Sequence, residues 1–269
     1  MNLFRNAFLL LLLLIMAACA GQRQTTSSNA PALIRVMAYN IHHSNPPSKP
    51  GLIDIDAIAK AIKDQNPDLV ALQEVDVNTG RSGKFNQAEE IAKKLGMSFF
   101  FAKAIDHDGG DYGVAILSKY PMGETKINRL PTQAITKGEP RVLATAKITL
   151  PDGKIIRFGS THLDAQKEDT NRELQIKEIN RISADEKLPF IIAGDFNAAP
   201  GSIVINTLDQ QFSRSCEPCD FTIPVINPRK TIDFIAFTPK SKFTSKSTYV
   251  VPERYASDHL PVLAVLQVN

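Results

Sequence analysis

The chain has 269 residues, 43% hydrophobic and 22% charged. That usage excludes wholesale disorder and a polytopic membrane protein, and the length is ample for a buried core. The formal charge of +3 is too mild to argue by itself for a nucleic-acid surface, and with no Trp, 5 Tyr and 14 Phe there is little for stacking on bases or sugars.

The first residues read as a processing signal. Arg5 precedes an apolar run from Ala7 to Ala18, too short to span a bilayer comfortably, which ends in Met16-Ala17-Ala18-Cys19. Small residues before a Cys resemble the lipobox of bacterial lipoproteins, so residues 1–19 are expected to be a signal peptide with Cys19 as the lipidation site. Ordinary signal cleavage near Ala18 or Ala20 is the alternative. Residues 20–31 are small and polar and read as a flexible tether. One domain is expected over 32–269, held at the cell envelope by a lipid anchor and monomeric.

From Leu33 the pattern alternates strand-like runs with amphipathic helices. Leu33–Tyr39 reads as a strand, and Ile55, Ile58, Ala59 and Ile62 mark a helix face. Asp68–Gln73 is a buried strand. Ala88, Ile91, Ala92 and Leu95 repeat the helical spacing, closed by Gly96. Strands follow at Ser98–Ala104, Gly113–Ser118 and Lys126–Leu130, with Asp111 and Tyr112 expected in a mobile loop at a cleft rim and His107 in a solvent-exposed loop. Pro151-Asp152-Gly153 joins strands at Arg141–Leu150 and Lys154–Thr161. A helix over Thr170–Ser183, a strand at Phe190–Ala193, a helix over Ile203–Gln210 and strands at Thr231–Phe237, Ser247–Val251 and Pro261–Val268 complete the chain. Hairpins mixed with crossovers predict an α/β fold with mixed sheets. Cys216 and Cys219 sit in one turn, where a disulfide is the simplest reading outside the cytoplasm.

Six apolar strands deliver a polar group at an end: Asn40, Glu74, His162, Asp195 with Asn197, Asp233, and Asp258-His259. Singly, each has a plain structural use as a turn former, a solvated acid or a core histidine. Jointly they point to a cleft, because dehydrated acids beside apolar strands are costly unless paired or bound to a cation.

Met37-Ala38-Tyr39-Asn40, Leu72-Gln73-Glu74-Val75, Gly113–Ser118, Ser160-Thr161-His162-Leu163, Gly194-Asp195-Phe196-Asn197, Ile232–Ile235 and Ser257-Asp258-His259-Leu260-Pro261-Val262 stand in the order found in the endonuclease/exonuclease/phosphatase superfamily, which the chain resembles from Val36 to Leu263. The resemblance implies a DNase I-like four-layer α/β sandwich, two packed mixed sheets flanked by helices. It also implies metal-dependent phosphoester hydrolysis. Position by position, it makes Glu74, Asn40 and Asp258 the metal-binding group. His162, Asp195, Asn197, Asp233 and His259 become the catalytic residues.

A hard cation, Mg²⁺ or Mn²⁺, suits such a site, because bare carboxylates would repel a phosphoester anion. Tyr112 and Arg141 are candidate substrate contacts. Arg141 is expected either to clamp a phosphate or to pair with Glu139 on the surface. His43 and Arg81 are rim candidates. The substrate stays open among nucleic acid, a lipid headgroup and a small phosphoester. Two alternatives remain: a zinc hydrolase using His42, His43, His162 and His259, and a non-catalytic binding lipoprotein.

Overall fold

A computed structural model describes residues 32–269; the expected signal peptide, Cys19 and the tether lie outside the described residues. Twelve strands and four helices run β1 (Ala32–Asn40), α1 (Ile55–Gln65), β2 (Leu69–Val77), α2 (Gln87–Leu95), β3 (Ser98–His107), β4 (Gly110–Ser118), β5 (Met122–Arg129), β6 (Val142–Thr149), β7 (Ile155–His162), α3 (Thr170–Asp185), β8 (Phe190–Asp195), α4 (Ile203–Gln211), β9 (Ser213–Arg214), β10 (Asp233–Thr238), β11 (Phe243–Val250) and β12 (Val262–Val268).

The strands form two six-stranded sheets, ordered β11-β12-β1-β2-β4-β3 and β5-β6-β7-β8-β10-β9. Each contains one parallel pair, β1 with β2 and β7 with β8, among antiparallel neighbours. One apolar core lies between the sheets, with Ile34, Val36 and Val114 meeting Ala144, Phe158 and Ile191. A second packs α1 and α2 on the outer face of the first sheet, and a third packs α3 and α4 on the outer face of the second. The result is the expected four-layer α/β sandwich of the DNase I-like type.

Local signals set the helix ends. Asp54, Asn86 and Ser202 each accept a backbone N–H at a helix start. Asn66 and Gly96 close α1 and α2 in the left-handed region.

Two expectations fail around Tyr112. It lies within strand β4, nearly buried, and the β3–β4 connection is a tight turn at Asp108-Gly109 instead of a mobile loop. His107 ends β3 with its ring 5.8 Å from that of Tyr112. Long-range pairing with β2 and β3 extends these strands beyond what their polar ends suggest locally.

Both parallel pairs end at the same end of the sandwich. There β8 approaches β7 so closely that a Cβ on Gly194 would stand 2.0 Å from the carbonyl oxygen of Thr161. Gly194→Ala is therefore expected to lose about 3 kcal/mol of stability through overpacking against backbone. Gly123→Ala, which faces open space, should change little. Urea unfolding of the two variants checks the contrast.

Candidate active site

Strand direction assembles the site. Asn40 ends β1 beside Gln73 of β2, and His162 ends β7 beside Asp195 of β8. Asp233 opens the antiparallel β10 opposite Asp195. Asp258 and His259 immediately precede β12, whose Val262 pairs with Ala38. Six segments thus meet at one end of both sheets.

Glu74 sits in a bulge between β2 and β4, where the register shifts between Leu72 and Val75, with φ of 56°. A positive φ in a non-glycine residue is costly, and a bulge re-aims a side chain. Here the departure turns the carboxylate toward the strand ends while Gln73 stays fully buried below it. Asn197 (φ 49°) and the run His42, His43, Ser44 (φ 45°, 42°, 60°) are also left-handed. Five of the eleven left-handed non-glycine residues among the described residues thus belong to these segments.

The two sheets are joined by Asn40. Its Nδ2 donates to Glu74 Oε1 at 3.0 Å and to Asp195 Oδ2 at 3.1 Å. Asp195 Oδ1 accepts the Asn197 backbone N–H at 2.8 Å, and Asp195 Oδ2 lies 3.5 Å from His162 Nε2 and 3.8 Å from His259 Nε2. His259 Nδ1 stands 2.9 Å from Asp233 Oδ2. Beneath them Gln73 Nε2 donates to Ser160 Oγ at 3.2 Å, and Ser160 Oγ donates to the Leu72 carbonyl. Ser257 Oγ donates to the Asn40 carbonyl at 2.7 Å.

The electrostatics separate the roles of the two histidines. Burial, reinforced by the Arg141 cation, holds His162 well below the ordinary imidazole range, so it is neutral. Burial also opposes charge on His259, but the Asp233 carboxylate outweighs it and pushes the ring up to about 10. Asp195 is raised by burial and by the charge of Asp233. Burial works against ionisation of Glu74, yet His43, His162 and Asn40 together hold it below the usual carboxylate range.

The structure gathers Asn40, Glu74, His162, Asp195, Asn197, Asp233 and His259. Asp258 borders the group, its Oδ1 3.4 Å from Ser257 Oγ. Arg141 is neither of the two expected things alone: it pairs with Glu139 at 2.9 Å, but from inside the protein, with Nη1 3.3 Å from His162 Nδ1 and its Nε buried without a partner. Burial first, then the Glu74 charge, raises the Tyr112 phenol, and the Arg141 cation works against them. Arg81 forks onto Asp76 and stacks 5.6 Å from the Tyr112 ring. Asp164, two residues after His162, accepts from Asn171 Nδ2 at 3.2 Å.

The four histidines of the zinc alternative do not form one ligand set, since only His162 and His259 meet, at Asp195 Oδ2. His42 Nδ1 bonds the Asn45 carbonyl and His259 Nδ1 is taken by Asp233. Cys216 and Cys219 form a disulfide. Sequence reasoning assigned no role to Gln73, Ser160 or Ser257. Two of these are visible as polar residues inside apolar strands, a burial that requires a partner.

Ligand atoms of Asp195, Asp233 and His259 lie within 4.8 Å of one another, and all three residues are buried. With Glu74 adjacent through Asn40, carboxylates outnumber the single imidazolium. Hard oxygen donors in negative excess fit a divalent cation.

Comparisons agree with this geometry. The profile of the Endonuclease/Exonuclease/phosphatase family matches residues 37–259. A protein of Schizosaccharomyces pombe, "Inositol phosphosphingolipids phospholipase C", is 27% identical over 63% of this chain and 42% of its own length, so the chain spans less than half of that relative. "Uncharacterized protein YbhP" of Escherichia coli (strain K12) is 25% identical over 86% of this chain and 94% of its own. Among solved structures, the endonuclease/exonuclease/phosphatase of Beutenbergia cavernae superposes with a TM-score of 0.73, 23% identity, and coverage of 88% of this chain and 72% of that one. The chain belongs to the endonuclease/exonuclease/phosphatase family and is a metal-dependent phosphoric ester hydrolase of that type.

Proposed function

We propose that the protein hydrolyses a phosphodiester, with Glu74, Asn40 and Asp258 beside the cation and Asp195 as the base that takes a proton from the attacking water. Asn40 carries this reading, because one amide ties the Glu74 and Asp195 carboxylates from two sheets into a single cluster. A bound Mg²⁺ or Mn²⁺ would polarise a phosphoryl oxygen and offset the charge that builds on it.

The chain's own residues divide the remaining work. Asn197 fixes Asp195 Oδ1 through its backbone N–H, while Oδ2, held by the Asn40 amide, faces the Nε2 atoms of His162 and His259. His259, charged by Asp233, donates toward the equatorial oxygens as they gain charge. His162, neutral, adds a hydrogen bond rather than a charge. Arg141 and Tyr112 hold the phosphate. Asp233 behind His259 favours the Glu74 side for the cation, because both nitrogens of a protonated ring are donors and neither can be a ligand. The name of the fission-yeast relative, a phospholipase C, supports a diester substrate.

Cleavage of bis(p-nitrophenyl) phosphate by the purified protein should require added Mg²⁺ or Mn²⁺ and stop with EDTA. Glu74→Gln should raise the Mg²⁺ needed for half-maximal rate by about 10-fold or more. An undiminished rate in EDTA would refute the reading. Among the described residues no helix is long and apolar enough to cross a membrane. The proposed envelope location therefore rests on the Met16–Cys19 motif; a Cys19→Ser protein that incorporates as much labelled fatty acid as the parent would count against lipidation at Cys19.

A further inference from the structure

Ten large apolar side chains lie exposed among the described residues. Five of them, Leu52, Ile135, Phe221, Ile226 and Tyr255, fall on connections at the catalytic end, and a sixth, Ile203, opens α4. Ile135 is 88% exposed and Ile226 58%. Most belong to three proline-containing segments, 45–53, 131–138 and 221–230, which flank Asn40, Arg141 and Asp233. None of the three contains an Asp or Glu, yet they carry Lys49, Lys137, Arg229 and Lys230, all exposed.

These segments are braced. Asn45 Nδ2 donates to the carbonyls of Lys49 and Leu52. Asn171 and Gln166 hold the backbone at Gln133 and Thr136. Ile223 pairs with Lys230, and the Val225 N–H bonds the Asp258 carbonyl. A cleft of about 510 Å³ opens beside the third segment, lined in part by Phe221, Arg229 and Lys230. Apolar tips fixed in solvent beside unneutralised cations cost hydration and are unlike an ordinary solvated rim.

We propose that this rim docks on an anionic lipid bilayer, with the tips entering the headgroup–acyl boundary and the cations meeting lipid phosphates. A bilayer supplies both complements in one plane. Four of the six tips, including the most exposed, Ile135, are aliphatic and offer nucleic acid neither stacking nor hydrogen bonds. The tips also stand on separate segments of the chain. Docking in this orientation brings lipid phosphoesters level with the catalytic cluster, but it does not depend on the assignment of the cation or the base.

Residues 31–269 form a compact unit that contains both sheets and all three cores, so this segment can be tested without the N-terminal region. It should sediment with vesicles of phosphatidylcholine mixed with phosphatidylglycerol and remain in solution with phosphatidylcholine alone. Lys137→Gln and Arg229→Gln should each weaken binding about fivefold. Ile135→Ser and Ile226→Ser should each weaken it about tenfold. All four should cleave bis(p-nitrophenyl) phosphate at the parent rate, which separates loss of docking from loss of catalysis. The proposal is overturned if the mixed vesicles leave the protein in solution. It is equally overturned if the four variants bind like the parent, or if the protein binds duplex DNA but no vesicle.

Discussion

Asp195→Asn is expected to lower kcat on bis(p-nitrophenyl) phosphate about 10³-fold without unfolding the protein. An amide preserves the shape and can still accept the Asn197 N–H, but it cannot take a proton from water. Its –NH₂ also confronts the donating Asn40 amide, which disturbs the tie to Glu74. Stability should move the other way. Asp195 is buried beside Asp233, and both burial and that neighbouring charge oppose its ionisation. Removing it relieves repulsion that no cation offsets in EDTA, so the urea midpoint in EDTA should equal or exceed that of the parent. A rate within tenfold of the parent, or a collapsed midpoint, contradicts the assigned role.

Asp233→Asn and His259→Ala should each cost about 10²- to 10³-fold in kcat. Asp233 is the group that overrides burial and keeps His259 charged. Without it, desolvation wins and the ring is neutral at pH 7. The variant therefore keeps a hydrogen bond to the transition state but loses the charge. Because the two residues act as one unit, the double variant should be barely slower than His259→Ala alone. Rates that multiply would mean that Asp233 acts on something other than the imidazole.

Much of this arrangement was legible before any coordinates. A carboxylate, amide or imidazole at the end of an apolar strand is a local pattern, and Asn40, Asp195 and His259 stand where that pattern places them. The bulge at Glu74 was not legible, because a positive φ in a Glu leaves no compositional mark and depends on the register of β2 against β4. Tyr112 was misplaced for a related reason. Asp108-Gly109 signals a turn correctly, but only pairing with β2 and β3 shows that the strand resumes at Gly110. The short β9 exists only through two pairs with β10. The burial of Arg141 also depends on tertiary packing, since its neighbour Glu139 invites a surface ion pair.

The hydrogen bonds from Gln73 to Ser160 and from Ser160 to Leu72 have a consequence for how such an enzyme can diversify. They seam the halves of the sandwich directly under the reacting groups, so the bond-breaking apparatus rests on a common floor that cannot shear. The walls around it rise from connections outside the ladders. Exchange of those walls alters which molecules gain entry and leaves the cutting chemistry in register, an economical route from one ancestral scaffold to many diets.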